Sequence, residues 1–147
     1  MVNARQPYAL ALLGSVVVTG AAFVPWFHVG VVGLPGVPDP AGYFVAAMGL
    51  TGAGLSVVGL RTRRDTRQGL VLAGLATLTT LVVAWQVGPA TIASRAQARA
   101  EAMALVDNVR VDPVPPVGAS VGLFGGMLGA AAVAAAGLTG VRRRTEP

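Results

Sequence analysis

The chain has 147 residues, of which 54% are hydrophobic and 12% are charged, and its mean hydropathy of +0.67 is far above that of an ordinary soluble domain. It contains no cysteine and one histidine, which excludes a disulfide framework, a thiolate metal site and a bis-histidine haem held by this chain alone. The net charge of +5 comes from arginines at the ends of apolar runs, not from a basic face interleaved with aromatic residues, so the pattern argues against nucleic-acid binding.

Four uncharged segments have the length of a membrane-spanning helix. Crossing about 30 Å of hydrocarbon takes roughly 20 apolar residues, and the backbone polar groups must be satisfied within each segment. The segments are residues 8–27, 41–60, 69–88 and 117–141, and none contains Asp, Glu, Lys or Arg. The sequence therefore predicts an all-α fold, a single domain over residues 1–147 that forms an integral membrane bundle of four transmembrane helices.

The first of these segments has a second interpretation. Arg5 followed by an apolar run is also typical of a secretory signal peptide. The run is longer than the apolar region of most signal peptides, and it ends at Pro25, Trp26 and Phe27 without a convincing small-x-small cleavage site. We expect the segment to be retained as a helix, and cleavage would leave three helices.

The longest connection, residues 89–116, is predicted to be an outer loop. Residues 91–108 are rich in helix formers, but Arg99 falls among the apolar residues of a helical wheel, so the amphipathicity is poor. A proline-rich stretch follows. We expect one short helix at the surface and a rigid approach to the last helix, and a mobile loop is the alternative.

The arginines predict the orientation, because cytoplasmic segments carry an excess of positive charge. Three arginines, Arg95, Arg99 and Arg110, lie in the outer loop. Eight flank the opposite side: Arg5, Arg61, Arg63, Arg64, Arg67, Arg142, Arg143 and Arg144. The prediction is a multi-pass protein of the inner (plasma) membrane with both termini in the cytoplasm.

Most aromatic residues fall at the predicted outer ends of the helices. Seven of the eight do so: Phe23, Trp26, Phe27, Tyr43, Phe44, Trp85 and Phe124. Aromatic belts normally occupy both interfaces, so the asymmetry is unusual. Anchoring by bulky rings explains it, and a groove for lipid, quinone or a partner at the outer leaflet is the functional alternative. For His28, which follows this cluster, we expect an interfacial anchor; a quinone contact, a shared metal ligand or a pH sensor is the alternative.

Two rows of small residues recur at alternating steps of four and three. One comprises Gly42, Ala46, Gly49, Ala53 and Ser56, and the other comprises Gly118, Gly122, Gly125, Gly129, Ala132 and Ala136. Such spacing keeps a row on one helix face and lets helices approach closely. We predict that the second and fourth helices supply the closest helix contacts, with each other or with a partner. Chance in a chain so rich in Gly and Ala is the alternative.

The predicted spans hold no ionisable residue, although such residues usually mark ion, proton or substrate pathways in membranes. This argues against a proton-coupled transporter and an intramembrane protease, and the lack of cysteine argues against a disulfide-forming enzyme. The glycine-rich residues 122–129 lie inside an apolar run without a lysine, so they do not indicate a phosphate-binding loop. The prediction is a protein that is not an enzyme and uses no cofactor.

The layout resembles the small four-helix membrane proteins of actinobacteria that are associated with tryptophan biosynthesis. The shared features are Trp26 at the end of helix one, a glycine-rich second helix, an arginine connection at residues 61–67, Gly69 at the start of helix three, a longer outer loop and a basic tail. The resemblance implies a four-helix membrane protein and supplies neither an activity nor site residues.

Two functions remain open from the sequence. The leading hypothesis is a non-catalytic accessory or structural subunit of a larger membrane assembly, such as a respiratory or cell-envelope complex. Its partners would be the lipid bilayer and other integral membrane proteins, which the small-residue faces would contact. The alternative is a membrane protein that binds lipid or quinone at the outer leaflet, as the aromatic asymmetry suggests.

Overall fold

A computed structural model describes residues 6–62, 65–107, 113 and 115–139. These residues form four helices and three short strands, in the order α1 (Gln6–Ala21), β1 (Pro25–Val29), β2 (Val32–Pro35), α2 (Pro40–Thr62), α3 (Arg67–Asp107), β3 (Val117–Ala119) and α4 (Val121–Leu138). The mostly helical fold with four helices is confirmed. The all-α assignment is wrong, because a small sheet covers the end of the bundle at which α1 ends and α2 and α4 begin; we call this the sheet end.

Three of the described helices, α2, α3 and α4, are long and apolar enough to cross a membrane. The first helix, α1, is also apolar but has only 16 residues. It ends at Ala21 and not at residue 27 as predicted, because Pro25 lacks an N–H and disfavours helical geometry at the residue before it. The Trp26 indole Nε1 then donates to the Ala21 carbonyl at 2.8 Å, so the side chain satisfies a carbonyl at the end of α1.

The sheet has the order β2-β1-β3, and both pairings are antiparallel. Val29 pairs with Val32 across a two-residue turn in which Gly30 has a φ of 59°, a conformation that favours glycine and suits a tight hairpin. On its other side β1 pairs with β3, where His28 lies opposite Gly118. Residues 117–119 are therefore a strand, and the predicted start of the fourth helix at residue 117 is corrected to Val121.

The third helix, α3, runs unbroken for 41 residues, so the predicted outer loop at residues 89–116 is helical as far as Asp107. Pro89 lies inside the helix and cannot donate to the Trp85 carbonyl, yet it removes only one bond of the ladder. The residues after it are strong helix formers, and the Gln97 side chain donates to Glu101 at 2.8 Å one turn later. We call residues 89–107 the α3 extension; it is about 28 Å long.

The four helices form a bundle in which each packs against two neighbours in the ring order α1-α2-α3-α4. The seam between α2 and α3 is the loosest. The backbones of α1 and α4 approach each other closely. A Cβ built on Gly129 would lie 2.8 Å from the Gly14 carbonyl oxygen, and a Cβ built on Gly14 would lie 2.8 Å from the Gly129 carbonyl oxygen. The second and fourth helices lie diagonally opposite, so the prediction is wrong in its first form, contact with each other, and contact with a partner stays a prediction.

Candidate functional site

An open groove of about 1040 Å³ lies at the sheet end, where α2 and α3 separate. One wall is α3; the other is the β1–β2 hairpin with the segment that leads into α2. The volume is at the upper end of the range for small-molecule sites, which are usually apolar clefts with a few polar groups.

The α3 wall is a slanting row in which pairs of residues recur every fourth position. These are Thr79, Thr80, Val83, Ala84, Val87, Gly88, Thr91, Ile92, Arg95, Ala96 and Arg99. The Thr80 and Thr91 hydroxyls donate to the carbonyls of Ala76 and Val87 one turn earlier. Both hydroxyl groups therefore use their only donor within α3, and this part of the wall is largely apolar.

The base of the groove is formed by two buried aromatic side chains of β1. Trp26 and Phe27 are 3% and 6% exposed, respectively. The hydrogen bond from Trp26 Nε1 to Ala21 fixes the indole and uses its only donor. The Phe27 ring lies against the α3 backbone at Gly88, where an added Cβ would be 2.5 Å from Cζ. The base is therefore rigid and apolar.

Charge is concentrated at one end of the groove, on the α3 extension. Arg95 and Arg99 are one helical turn apart, are solvent-exposed, and form no ion pair with another described residue. Across the groove, the Asp39 carboxylate accepts the backbone N–H of Ala41 at 3.0 Å and so caps the start of α2. The site thus joins a long apolar surface to a pair of guanidinium groups, with a single carboxylate opposite.

Comparison with known protein families, characterised proteins and solved structures gives no match for this chain. The resemblance to the actinobacterial family therefore stays a prediction. Only the residues that line the groove indicate what it binds.

The aromatic residues singled out in the sequence separate into two groups. Trp26 and Phe27 are buried and form the base of the groove, so they are not interfacial anchors on a helix end. The other five are exposed at the sheet end: Phe23, Tyr43, Phe44, Trp85 and Phe124. Trp85 and Phe124 meet edge to face across the α3–α4 seam, with ring centroids 6.5 Å apart.

The predicted small-residue row of α2 faces α1 except at its first residue, since the backbone at Gly42 lies against residues 36 and 37. Gly42, Gly49 and Ser56 are buried, and Ala46 and Ala53 are half-buried beside them. The backbone at Gly49 lies against Ser15 and Thr19 of α1. The prediction did not include Gly52 and Gly59, which are also buried. They lie three residues after Gly49 and Ser56, respectively.

At the centre of α4 the predicted row is displaced by one residue from the face that packs against the bundle. Gly122, Gly129 and Ala136 are buried and Ala132 is half-buried, whereas a Cβ at Gly125 would meet nothing within 4 Å. The contact residue is Gly126, whose added Cβ would lie 3.0 Å from Leu81. Gly118 belongs to β3 and not to the helix. The series 122, 126, 129, 133 and 136 has the same spacing as the predicted one, so spacing alone could not distinguish them.

Two of the topology arginines lie within the described residues. Arg61 is exposed at the end of α2, and the Arg67 guanidinium lies 5.8 Å from the centre of the Tyr8 ring, where α3 begins. The others, Arg5, Arg63, Arg64, Arg142, Arg143 and Arg144, lie outside the described residues. Both described arginines are at the end of the bundle opposite the sheet.

Proposed function

We propose that the chain is a multi-pass protein of the plasma membrane. Large apolar side chains such as Leu13, Leu72 and Leu128 project from the bundle and are 66%, 69% and 74% exposed, respectively. An apolar surface of this extent is costly in water and is covered by acyl chains in a bilayer. Residues 68–94 and 121–138 contain no charged residue, and residues 6–60 contain one, Asp39, which precedes α2.

We propose further that the sheet end lies outside the cell and both termini lie in the cytoplasm. The excess of arginine flanks the opposite end of the bundle, which is the pattern of cytoplasmic segments. Because the chain has no cysteine, single cysteines report position without background. An impermeant maleimide should label Val31→Cys and Ser94→Cys in intact cells, and Thr62→Cys only after lysis. The reverse pattern would overturn the orientation.

In this orientation the groove binds a lipid-like amphiphile, a lipid or a quinone, at the outer leaflet. The observation that supports this proposal is the match between the groove and the bilayer. From Arg67 to Gly88 α3 rises about 32 Å, the thickness of the hydrocarbon core. The apolar wall from Thr79 to Gly88 then covers about 14 Å, close to the depth of one leaflet. An acyl or isoprenoid chain along this wall would bury it against Trp26 and Phe27.

The experiment uses a substitution that fills the groove. Ala84 is half-buried in the α3 wall, whereas Ala90 lies on the same helix, is exposed, and does not line the groove. We expect native mass spectrometry of the detergent-solubilised protein to detect a bound amphiphile in the unmodified chain and in Ala90→Trp, and to find it lost in Ala84→Trp. Equal retention in both variants would mean that the amphiphile is bound elsewhere on the bundle, and its absence from all three would remove the proposal.

A second candidate function is a non-catalytic accessory subunit, and a different observation favours it. Near its end the α3 extension carries Met103, Leu105 and Val106, which are 63%, 85% and 84% exposed, respectively. In the proposed orientation these side chains lie more than about 20 Å beyond the hydrocarbon, where no acyl chain covers them. Another membrane protein would bury them. A protein that co-purifies with the unmodified chain and is lost from Leu105→Gln and Val106→Thr together would support this role.

A further inference from the structure

We infer that the occupant of the groove is a phospholipid whose phosphate is held by Arg95 and Arg99. This inference rests on the proposed function of the groove and adds the chemical class of its ligand. It depends on the position of the two arginines on the groove wall, on the direction in which side chains of a helix lean, and on the charge that the arginines leave unbalanced.

The first feature is position. Arg95 and Arg99 both line the groove and lie at i and i+4, so their guanidinium groups are neighbours on one helix face. The lining residues of α3 that precede them, from Thr79 to Ile92, carry no charge. The groove therefore changes from apolar to cationic along a single helix, in the order in which a phospholipid changes from acyl chain to phosphate.

The second feature is direction. Arg95 and Arg99 lie about 10 and 16 Å beyond Gly88, and the headgroup region extends only about 5–8 Å beyond the hydrocarbon. Side chains on a helix lean toward its N-terminus, which for α3 is toward the membrane. The long side chain of Arg95 therefore reaches back to the level of the headgroups, as arginines at membrane interfaces commonly do, and that of Arg99 approaches their outer edge from one turn further out.

The third feature is charge. Guanidinium groups bind phosphate oxygens through paired N–H donors, and neither arginine forms an ion pair with a described residue. A neutral quinone ring would leave both charges unmatched. The other charged group that lines the groove, the Asp39 carboxylate, is on the opposite wall and leaves the lining with a charge of +1 from two arginines and one aspartate. That balance matches a headgroup with a single phosphodiester and disfavours one with several negative charges.

The experiment measures how tightly the full-length protein in detergent binds phosphatidylglycerol and phosphatidylethanolamine, each against diacylglycerol with the same acyl chains. We expect both phospholipids to bind and diacylglycerol to bind at least about tenfold more weakly. The double substitution Arg95→Gln with Arg99→Gln should remove that preference. Arg61→Gln, which removes an exposed arginine at the opposite end of the bundle, is the matched control and should retain it.

The outcomes separate this inference from the proposed function. If diacylglycerol or a quinone binds as tightly as the phospholipids, and the double substitution changes nothing while Ala84→Trp still abolishes binding, the groove holds an amphiphile but the headgroup assignment is wrong. If inorganic phosphate alone competes with the phospholipid at equal affinity, the site binds a free anion and the lipid assignment is wrong. If no amphiphile is displaced by Ala84→Trp, the proposed function fails and this inference fails with it.

Discussion

Two seams of the bundle differ in how closely their helices approach, and a glycine makes a close contact in each: the α1–α4 seam, which we call closed, and the α2–α3 seam, which we call open. Between α1 and α4 a glycine from each helix brings the two backbones into contact at Gly14 and Gly129. Between α2 and α3, by contrast, Gly88 brings the α3 backbone against the ring of Phe27, which comes from the sheet. In the first seam the space left by glycine is filled by another helix. In the second it is filled by the aromatic ring of Phe27 from β1, which also lines the groove.

This difference shows that a small residue on a helix permits close approach but does not determine which element packs against it. In lipid there is little hydrophobic drive between helices, so packing depends on dispersion contacts and on how closely backbones can come. Gly129 of α4 meets another helix, because the facing residue of α1, Gly14, is also small. Gly88 of α3 meets a strand residue, Phe27. The sheet therefore decides which seam stays open.

The largest expected effect is at the closed seam. In Gly129→Leu the new side chain would meet the Gly14 carbonyl oxygen, a backbone atom that cannot rotate away. We expect a loss of about 3 kcal/mol of stability, at the upper end of the cost of overpacking. Thermal unfolding of the detergent-solubilised protein measures it.

The matched control for that experiment is Gly125→Leu, on the same helix. A Cβ at Gly125 meets nothing within 4 Å, so the leucine would lie at the surface and cost little. A similar fall in unfolding temperature for both variants would show that α4 is sensitive to bulk along its whole length and that the closed seam is not at Gly14 and Gly129.

A smaller effect is expected at the base of the open seam. Trp26→Phe removes the 2.8 Å hydrogen bond from Nε1 and leaves the Ala21 carbonyl at the end of α1 without its partner. A buried polar group without a partner costs about 1–3 kcal/mol, so we expect a loss of roughly 2 kcal/mol. The smaller ring also widens the base, so amphiphile binding should weaken in the same variant.

Trp85→Phe is the control for the tryptophan experiment, since Trp85 is 48% exposed and contacts Phe124 only edge to face. Its cost should stay below about 1 kcal/mol. If Trp85→Phe proved the more damaging of the two, the indole of Trp26 would not be the structural base that we describe.

Sequence reasoning predicted the long apolar helices, because an uncharged run of that length favours a helix wherever it lies. It failed at residues 22–27, since hydropathy does not distinguish an apolar strand from the last turns of an apolar helix, and it missed the strands within the predicted connection at residues 28–40. The available signals were local: Pro25, and the glycine of Val29-Gly30-Val31-Val32 between β-branched residues. The pairing of β1 with β3 joins residues far apart in the chain, and no local pattern specifies such a partner.

The groove was harder to predict than the helices, because it depends on α3 continuing through Pro89. If the third helix ends before Pro89, Arg95 and Arg99 are separated from the apolar residues that precede it. The two arginines then indicate only charge in an outer loop. The position of Arg99 among apolar residues lowered the predicted amphipathicity of this segment. In the structure Ile92, Ala96 and Arg99 share the groove wall, so the mixed face is the site itself.

The smallest expected effect is in the α3 extension, which forms the cationic end of the open seam. Gln97 donates to Glu101 at 2.8 Å on an exposed face of the helix, and neither residue lines the groove. Gln97→Ala removes this bond but puts the best helix former in its place, and an exposed pair of this kind contributes about 0.2–0.5 kcal/mol. We expect no measurable change in the unfolding temperature of the bundle and at most a slight rise in amide hydrogen exchange over residues 92–101. Because the arginines stay on the same helical wall, phospholipid binding should also be unchanged. A clear loss of binding in Gln97→Ala would mean that the extension is only marginally helical without its side-chain pairs, and that a bound lipid helps to order the wall on which it lies.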